Sequence, residues 1–395
     1  MTTPAKVAVR WRYLLLGMGL FLGSGLGWLF SNLLVITPGF SYPLALIIKL
    51  GLMLLSFAGL VLAIRATAGQ LANALLVLAS MFAVLYVAEF ALSLFPSPNA
   101  NDKSLHAWLW HKLYWQAGED GIRESGLGRD DGANIVFIGD SFTAGIGVED
   151  PSQRFPELVQ QALPQTRVSN ISMPGWQVTD YLAAVDALGP ASKLVYLGLV
   201  PNDIEGVLDE AVIARKQQYL KSITGPLFDH GPAFRFLFRH SFLVNEAMIR
   251  FAAWYVWRRV DEIEDIHDYL ASEQGRWHTT AHYLDPQSRQ RFQDTLELIR
   301  TRLSARGAEL RLIFFPLMKD RLLGFTEEYC NRPFYSWVES EGIRAIRVTP
   351  LLAELSESRR TASSMDAHPD ERVHALVAEA VIADLRDSPP GAADE

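Results

Sequence analysis

The chain has 395 residues, a formal net charge of −8, a hydrophobic content of 49% and a single cysteine. That length leaves room for more than one structural unit, and the lone Cys330 rules out an intramolecular disulfide, so cysteine pairing is silent on compartment. Residues 1–95 carry Lys6, Arg10, Arg12, Lys49 and Arg65 against Glu89 alone, a net of about +4; the remainder is then roughly −12, which leaves no broad footprint for nucleic acid.

Residues 13–36 contain no charged side chain. A helix needs about 20 apolar residues, at about 1.5 Å each, to cross a hydrocarbon core of about 30 Å. Two similar runs follow, 42–64 interrupted by Lys49 and 71–95 interrupted by Glu89. The first run is too long for a cleavable signal peptide, and no small-x-small site follows it. Three runs in series, joined by short connectors, are also unlike the buried helices of a soluble core. Residues 1–95 therefore read as a membrane domain of three transmembrane helices.

Lys6, Arg10 and Arg12 precede the first span and Arg65 separates the second from the third, while residues 37–41 carry no charge. The positive-inside rule then puts the N-terminus in the cytoplasm and everything after Phe95 outside it. The expected location is the cytoplasmic (inner) membrane, multi-pass, with an extracytoplasmic or periplasmic soluble part. Gly19, Gly23 and Gly27 recur every fourth residue, a spacing that suits a partner membrane helix, although glycine is also simply common in such helices. Lys49 and Glu89 both fall about 10 Å inside the outer boundary. A lone charge at that depth is costly, so they either pair with each other or snorkel to the interface.

Residues 96–133 are polar and glycine-containing and read as a linker, with an aromatic cluster at Trp108, Trp110, Tyr114 and Trp115. Beyond it, short apolar runs at 134–138, 167–171, 193–199, 309–315 and 344–348 predict buried parallel strands. Helical patterns near 154–163, 179–188, 287–304, 327–341 and 371–386 lie between or after them. This alternation predicts a three-layer α/β domain with a parallel sheet over 134–386. Residues 204–285 break the rhythm and read as an insertion. Its middle mixes Phe236, Phe238, Phe242, Phe251, Trp254 and Trp257 with arginines, followed by an acidic run at 261–268. It is either a lid or membrane-facing surface or a subdomain packing its aromatics into its own core. Residues 387–395 read as a disordered tail.

Residues 134–147 read NIVFIGDSFTAGIG, a buried strand followed by Gly139-Asp140-Ser141 and a turn of small residues. A serine at the carboxyl end of a central parallel strand lies where open α/β sheets bind ligands, and the N–H at the following helix start can help hold an oxyanion. Thr143 stands where an α/β-hydrolase elbow needs its last glycine, which disfavours that fold.

GDSFTAGIG resembles the first block of the SGNH (GDSL-like) hydrolases. NISMPG at 170–175 resembles their second block and LVPND at 199–203 their third, while Asp366 to His368 followed by Pro369 resembles the last. GIR at 121–123 resembles a segment seen ahead of the first block in membrane-linked members. The blocks come in the family's order and cover residues 121–386. The resemblance implies a flavodoxin-like SGNH fold, Ser141 as nucleophile, His368 as base and Asp366 as its orienting acid. It also implies an oxyanion hole from the N–H groups of Ser141 and Gly175 and the Asn202 side chain. Each position has an ordinary alternative: Gly175 as a turn residue, Asn202 and Asp203 as a helix cap, His368 as a loop residue, His374 as a helix-face residue. Two departures stand out. Val200 occupies a position usually glycine, and Met365 occupies the usual site of the acid, so a Ser–His pair with a weaker orienting group stays open.

The expected function is a membrane-anchored serine esterase acting on acyl esters, acetyl above all, of an extracytoplasmic glycan. The alternatives are an acyltransferase of envelope polysaccharide, a lipase, or a silent membrane module that binds a glycan or partner. An accessory to transport, with the spans as the working part, is a further rival. No metal or organic cofactor is implied, since no histidine, carboxylate or cysteine cluster has ligand spacing.

Overall fold

The structure, a computed structural model, describes residues 4–67, 70–98, 103–118, 121–123, 132–228, 230–261 and 279–389. The chain divides into two compact units, Met1–Leu113 with Thr224–Tyr255, and Tyr114–Ile223 with Val256–Glu395.

In the first unit α1 (Pro4–Ile36), α2 (Tyr42–Ala66) and α3 (Gln70–Leu92) are each long and apolar enough to cross a membrane. Their outward faces stay apolar: Leu15, Ile47 and Val84 are each about two-thirds exposed, the surface expected of a helix whose solvent is lipid. α1 and α2 touch through Gly17 and Gly59. A Cβ at either would come within 2.7 Å of the other's carbonyl oxygen, so only glycine permits this approach. The spaced glycines are not the ones used here: positions 19 and 23 face open space, and a Cβ at Gly27 would meet only Leu52.

Lys49 and Glu89 are both buried and neither snorkels. Nor do they pair through their charged ends as the sequence suggested. The Lys49 amine donates to the Glu89 backbone carbonyl at 3.3 Å and lies 5.0 Å from the Trp28 ring centroid. The Glu89 carboxylate instead accepts the Ser241 hydroxyl and the N–H groups of Phe242 (2.9 Å) and Leu243 (3.1 Å). It thus serves the first turn of the helix Phe242–Asp261, where unpaired N–H groups and the helix dipole favour a negative charge.

Two sequence expectations change here. Residues 96–133 are not a plain linker, because α4 (Leu105–Tyr114) buries Leu105, Leu109 and Trp110. Its Lys112 amine donates to the carbonyls of Leu34 (3.0 Å) and Val35 (2.7 Å) at the end of α1, a cation on orphan helix carbonyls. The middle of the 204–285 insertion does not pack only on itself. Phe242 is fully buried beside Val35, Ala45 and Leu105, and Phe236 meets Phe30 edge-on at 5.3 Å. Phe251 and Trp254 remain about half exposed.

The second unit is built on β1 (Ile135–Gly139), β2 (Val168–Ser172), β3 (Leu194–Leu199), β4 (Glu309–Phe314) and β5 (Arg344–Arg347). All are paired in parallel in the order β2-β1-β3-β4-β5, the flavodoxin-like order. Residues alternate between faces. Ile135, Phe137, Leu194 and Tyr196 pack with the layer containing the helices Phe155–Ala162 and Glu371–Asp387. Val136, Ile138, Val195 and Leu197 pack with the layer containing Val178–Asp186 and Pro286–Ser304. Each such side chain, fully buried, contributes about 1.5–3 kcal/mol. The three-layer α/β fold is therefore as expected.

One expected helix is broken. Residues 327–341 form a wide turn over Glu327–Asn331, a tight turn over Arg332–Phe334 and a short helix Tyr335–Ser340, because Pro333 lacks the N–H an α-helix would use. The last helix reaches Asp387. Residues 390–395 of the expected tail, and all of the acidic run except Asp261, lie outside the described residues.

Candidate active site

β1 delivers the chain to Asp140, which caps the short helix Ser141–Ala144 by accepting the Phe142 N–H at 2.9 Å. Thr143 fits a niche between two strands. A Cβ at Gly139 of β1 or Gly198 of β3 would come within 2.2 Å of its hydroxyl oxygen. That is why a threonine can stand where another hydrolase elbow has glycine: the space comes from its neighbours. The turn that follows uses Gly145 at φ +75°, a conformation that suits glycine.

Two buried arginines hold this turn from behind. Arg123, from the GIR segment, donates to the carbonyls of Tyr114, Gly145, Val148 and Glu149 at 2.7–3.0 Å. Arg154 donates to the carbonyl of Ala144 at 2.9 Å and pairs with Glu157. His374 is buried beside them and accepts the Phe155 N–H at Nδ1 (3.2 Å). Burial first, then the charges of Arg154 and Arg123, push its pKa down to about 3, so at neutral pH it is an uncharged packing residue of the helix Glu371–Asp387 and no second base.

The structure brings Ser141, His368 and Asp366 together from distant parts of the sequence. Ser141 Oγ lies 2.8 Å from His368 Nε2. His368 Nδ1 meets Asp366 Oδ1, which also accepts the His368 backbone N–H at 2.9 Å. Asp366 and His368 lie on β7 (Asp366–Pro369), the second strand of a small antiparallel pair begun by β6 (Thr361–Ser363). In this bent geometry an acid two residues away, with Met365 at the position before it, contacts both the backbone N–H and the ring of His368.

Asp366 is almost wholly buried. Burial pulls its pKa up, but the His368 charge and hydrogen bonds outweigh this and hold it below the usual carboxylate range. Burial likewise pulls His368 down, and the Asp366 carboxylate outweighs it, leaving the imidazole above its ordinary value. The carboxylate thus stabilises the protonated form of the imidazole.

The other expected residues come from neighbouring strand ends. Gly175 lies just past β2 in a turn at φ +83°, with open space over its α-carbon. Asn202 lies just past β3, half-buried, its amide 3.4 Å from Asp140 Oδ2. β2, β1 and β3 are adjacent and parallel, so Gly175, Ser141 and Asn202 all follow the carboxyl end of the sheet. Val200 is buried, and its N–H donates to Asp203 Oδ2 at 2.8 Å, which makes it a core residue of the third block.

Asp140 stands in a block recognised by its serine, and the sequence alone gives its side chain no partner. Its Oδ2 accepts from the Ser141 hydroxyl at 3.0 Å as well as from Asn202. Complete burial leads the causes that raise its pKa. Among the described residues, no group of three or more histidine, cysteine or acidic side chains is placed to hold a metal ion.

No protein-family model matches the chain, and no curated protein sequence does either. Several solved structures are similar to it in part. A lipolytic protein of the G-D-S-L family from Veillonella parvula is 14% identical, with a TM-score of 0.36 over 63% of this chain and 96% of that one. The lipase Lip_vut3 from a goat rumen metagenome is 15% identical, with a TM-score of 0.38 over 64% and 96%. A family two carbohydrate esterase from Clostridium thermocellum, solved with cellohexaose, is 12% identical, with a TM-score of 0.33 over 67% and 66%.

Proposed function

We propose that this protein is a membrane-anchored serine esterase of the SGNH type that removes small acyl groups, acetyl foremost, from an extracytoplasmic glycan. The observation that carries the chemistry is the Ser141–His368–Asp366 chain, with 2.8 Å between the serine oxygen and the imidazole nitrogen. Ser141 Oγ attacks the ester carbonyl while His368 Nε2 takes its proton, and Asp366 keeps the ring in the tautomer that can do so. The oxyanion is received by the N–H groups of Ser141 and Gly175 and by the Asn202 amide, which turns from Asp140. His368 then gives the proton to the departing alcohol oxygen as the C–O bond breaks. Water, deprotonated by the same imidazole, releases the carboxylic acid and restores the serine. The glycan follows from the orientation that the basic residues around the spans imply: an esterase anchored at the outer face would meet envelope carbohydrate before soluble esters.

Ser141→Ala is expected to fold normally and lower kcat on an aryl acetate by about 10⁶, and to lose labelling by a fluorophosphonate. Asn202→Ala is expected to cost only about 10²–10³, one donor among several. Wild-type turnover in Ser141→Ala would refute the mechanism. The substrate is tested with an acetyl ester, with and without acceptor glycans, by mass spectrometry. Free acetate supports hydrolysis and acetylated sugar supports transfer. Cleavage of long-chain glycerolipids alone would replace the glycan with a lipid substrate.

A further inference from the structure

The helix Pro232–His240 and the start of Phe242–Asp261 belong to the compact unit of α1, α2 and α3, but among the described residues only those three have the length and apolarity of a span. The corner between the two shorter helices is nevertheless fixed at a depth along the spans. Phe30 meets the rings of Phe236 and His240 edge-on at 5.3 and 5.0 Å, and the Asn32 amide donates to the His240 carbonyl at 2.5 Å. Phe30 and Asn32 lie six and four residues before Ile36, the end of α1, about 9 and 6 Å along its axis. Glu89, which holds the first turn of Phe242–Asp261, is six residues before Phe95, where the third apolar run ends. The uncharged run of α1, residues 13–36, is about 36 Å long against a hydrocarbon core of about 30 Å. That leaves about 3 Å of slack at each end, so the corner sits below the headgroups.

The backbone of the corner is built for that depth. Glu89 accepts the N–H groups of Phe242 and Leu243, the Ser241 hydroxyl accepts that of Val244 at 3.0 Å, and the Ser241 carbonyl accepts that of Asn245 at 2.9 Å. On the other side of the break, the Leu237 carbonyl accepts the Ser241 N–H at 2.8 Å. The Phe238 and His240 carbonyls accept the side-chain amides of Asn245 (3.1 Å) and Asn32. At a wet surface water would serve these groups, whereas in hydrocarbon a helix break is tolerated only when the protein itself satisfies them. Pro232–His240 also has two unlike edges. Arg235 and Arg239 are exposed one turn apart. Leu237, 40% exposed, lies about 160° round the helix from each. An apolar edge opposite a cationic one suits a helix lying at a membrane surface, its long basic side chains reaching outward.

We propose that Pro232–His240 and the first turn of Phe242–Asp261 form a re-entrant corner in the leaflet where α1 and α3 end, with Leu237 against phospholipid acyl chains and Arg235 and Arg239 reaching back to the phosphates. The full chain is reconstituted in vesicles of zwitterionic and anionic phospholipid, carrying a nitroxide on Leu237→Cys, Ile47→Cys or Leu298→Cys. Cys330, the sole native cysteine, is buried and does not compete for the label. Ile47, 66% exposed and five residues into α2, matches the depth of the corner, and Leu298, 40% exposed on Pro286–Ser304, serves as the aqueous reference. Collisions with oxygen, which concentrates in hydrocarbon, and with a nickel chelate, which stays in water, are read by electron paramagnetic resonance. The oxygen-to-nickel ratio at Leu237 is expected to equal that at Ile47 and to exceed that at Leu298. A ratio like that of Leu298 would overturn the proposal, and so would a label shielded from both reagents, which would mean that protein covers this edge. Replacing both arginines by glutamate (Arg235→Glu with Arg239→Glu) should bring the Leu237 ratio down towards that of Leu298, while the paired lysine variant keeps it. An unchanged ratio in the glutamate variant would overturn the phosphate contact.

Discussion

His368 is held by Asp366 in a state that favours its protonated form, and that has a consequence for pH. Only the neutral imidazole can accept the serine proton, so activity is lost as pH falls through the pKa of His368. Because that pKa is raised, the acid limb of kcat/KM is expected to have its midpoint above about 6.5, the ordinary histidine value. Asp366→Asn removes the charge that raises it, so the limb should move to lower pH while kcat drops by about 10⁴ through loss of the correct tautomer. A pH–rate profile with an unmoved limb and a loss below tenfold would take the orienting role from Asp366. At this scale the sequence was informative about identity and weak about geometry. Ser141 and His368 stand out by pattern, yet whether an acid two residues from its histidine can reach it depends on the bend of the β6–β7 pair. Asp140 shows the reverse case: it is part of the most recognisable block, but its contact with Asn202 exists only once β1 and β3 lie side by side.

Elements position these residues, and the turn after β1 is the critical one. Its backbone carries Ser141, the proposed nucleophile, and Arg123 ties Gly145, Val148 and Glu149 to Tyr114 through a single guanidinium. A lysine keeps the charge but cannot fork to several carbonyls. Arg123→Lys is therefore expected to lower kcat by about 10², the scale of a 1 Å misplacement, with KM little changed and fluorophosphonate labelling slowed in proportion. Equal losses of kcat and folded protein, with normal turnover per labelled site, would make Arg123 merely structural. The five strands were legible to within one residue at every end, because a strand buried on both faces must be a short apolar run. The membrane charges were not. Sequence gives the depth of Glu89 along α3 but no lateral neighbour, and its partners Ser241, Phe242 and Leu243 lie more than 150 residues away. The same limit hid the fate of the insertion, since an aromatic stripe announces a buried face without naming the body that buries it.

For the whole molecule, orientation decides whether the proposed chemistry takes place at the envelope. Arg10 and Arg12 precede α1's apolar stretch and Arg65 ends α2, whereas the connector between α1 and α2 carries no charge. Three crossings would then leave residues after Phe95 on the side opposite the N-terminus. One feature points the other way: Arg235 and Arg239 lie on Pro232–His240, in the same compact unit as the three apolar helices. The positive-inside rule acts through residues within about 15–20 positions of a span end, and distant segments translocate largely regardless of charge. These two arginines are about 140 residues beyond α3, so they should not set the topology. Lys112, which is nearer, already has both α1 carbonyls as partners. Alkaline phosphatase, which works only outside the cytoplasm, is therefore expected to be active when fused after Ala100 and inactive when fused after Ala66. The reverse pattern would place the Ser141 site in the cytoplasm and remove envelope glycan from its reach. If both fusions were active, α3 would not cross the membrane, and the count of three spans would fail with it.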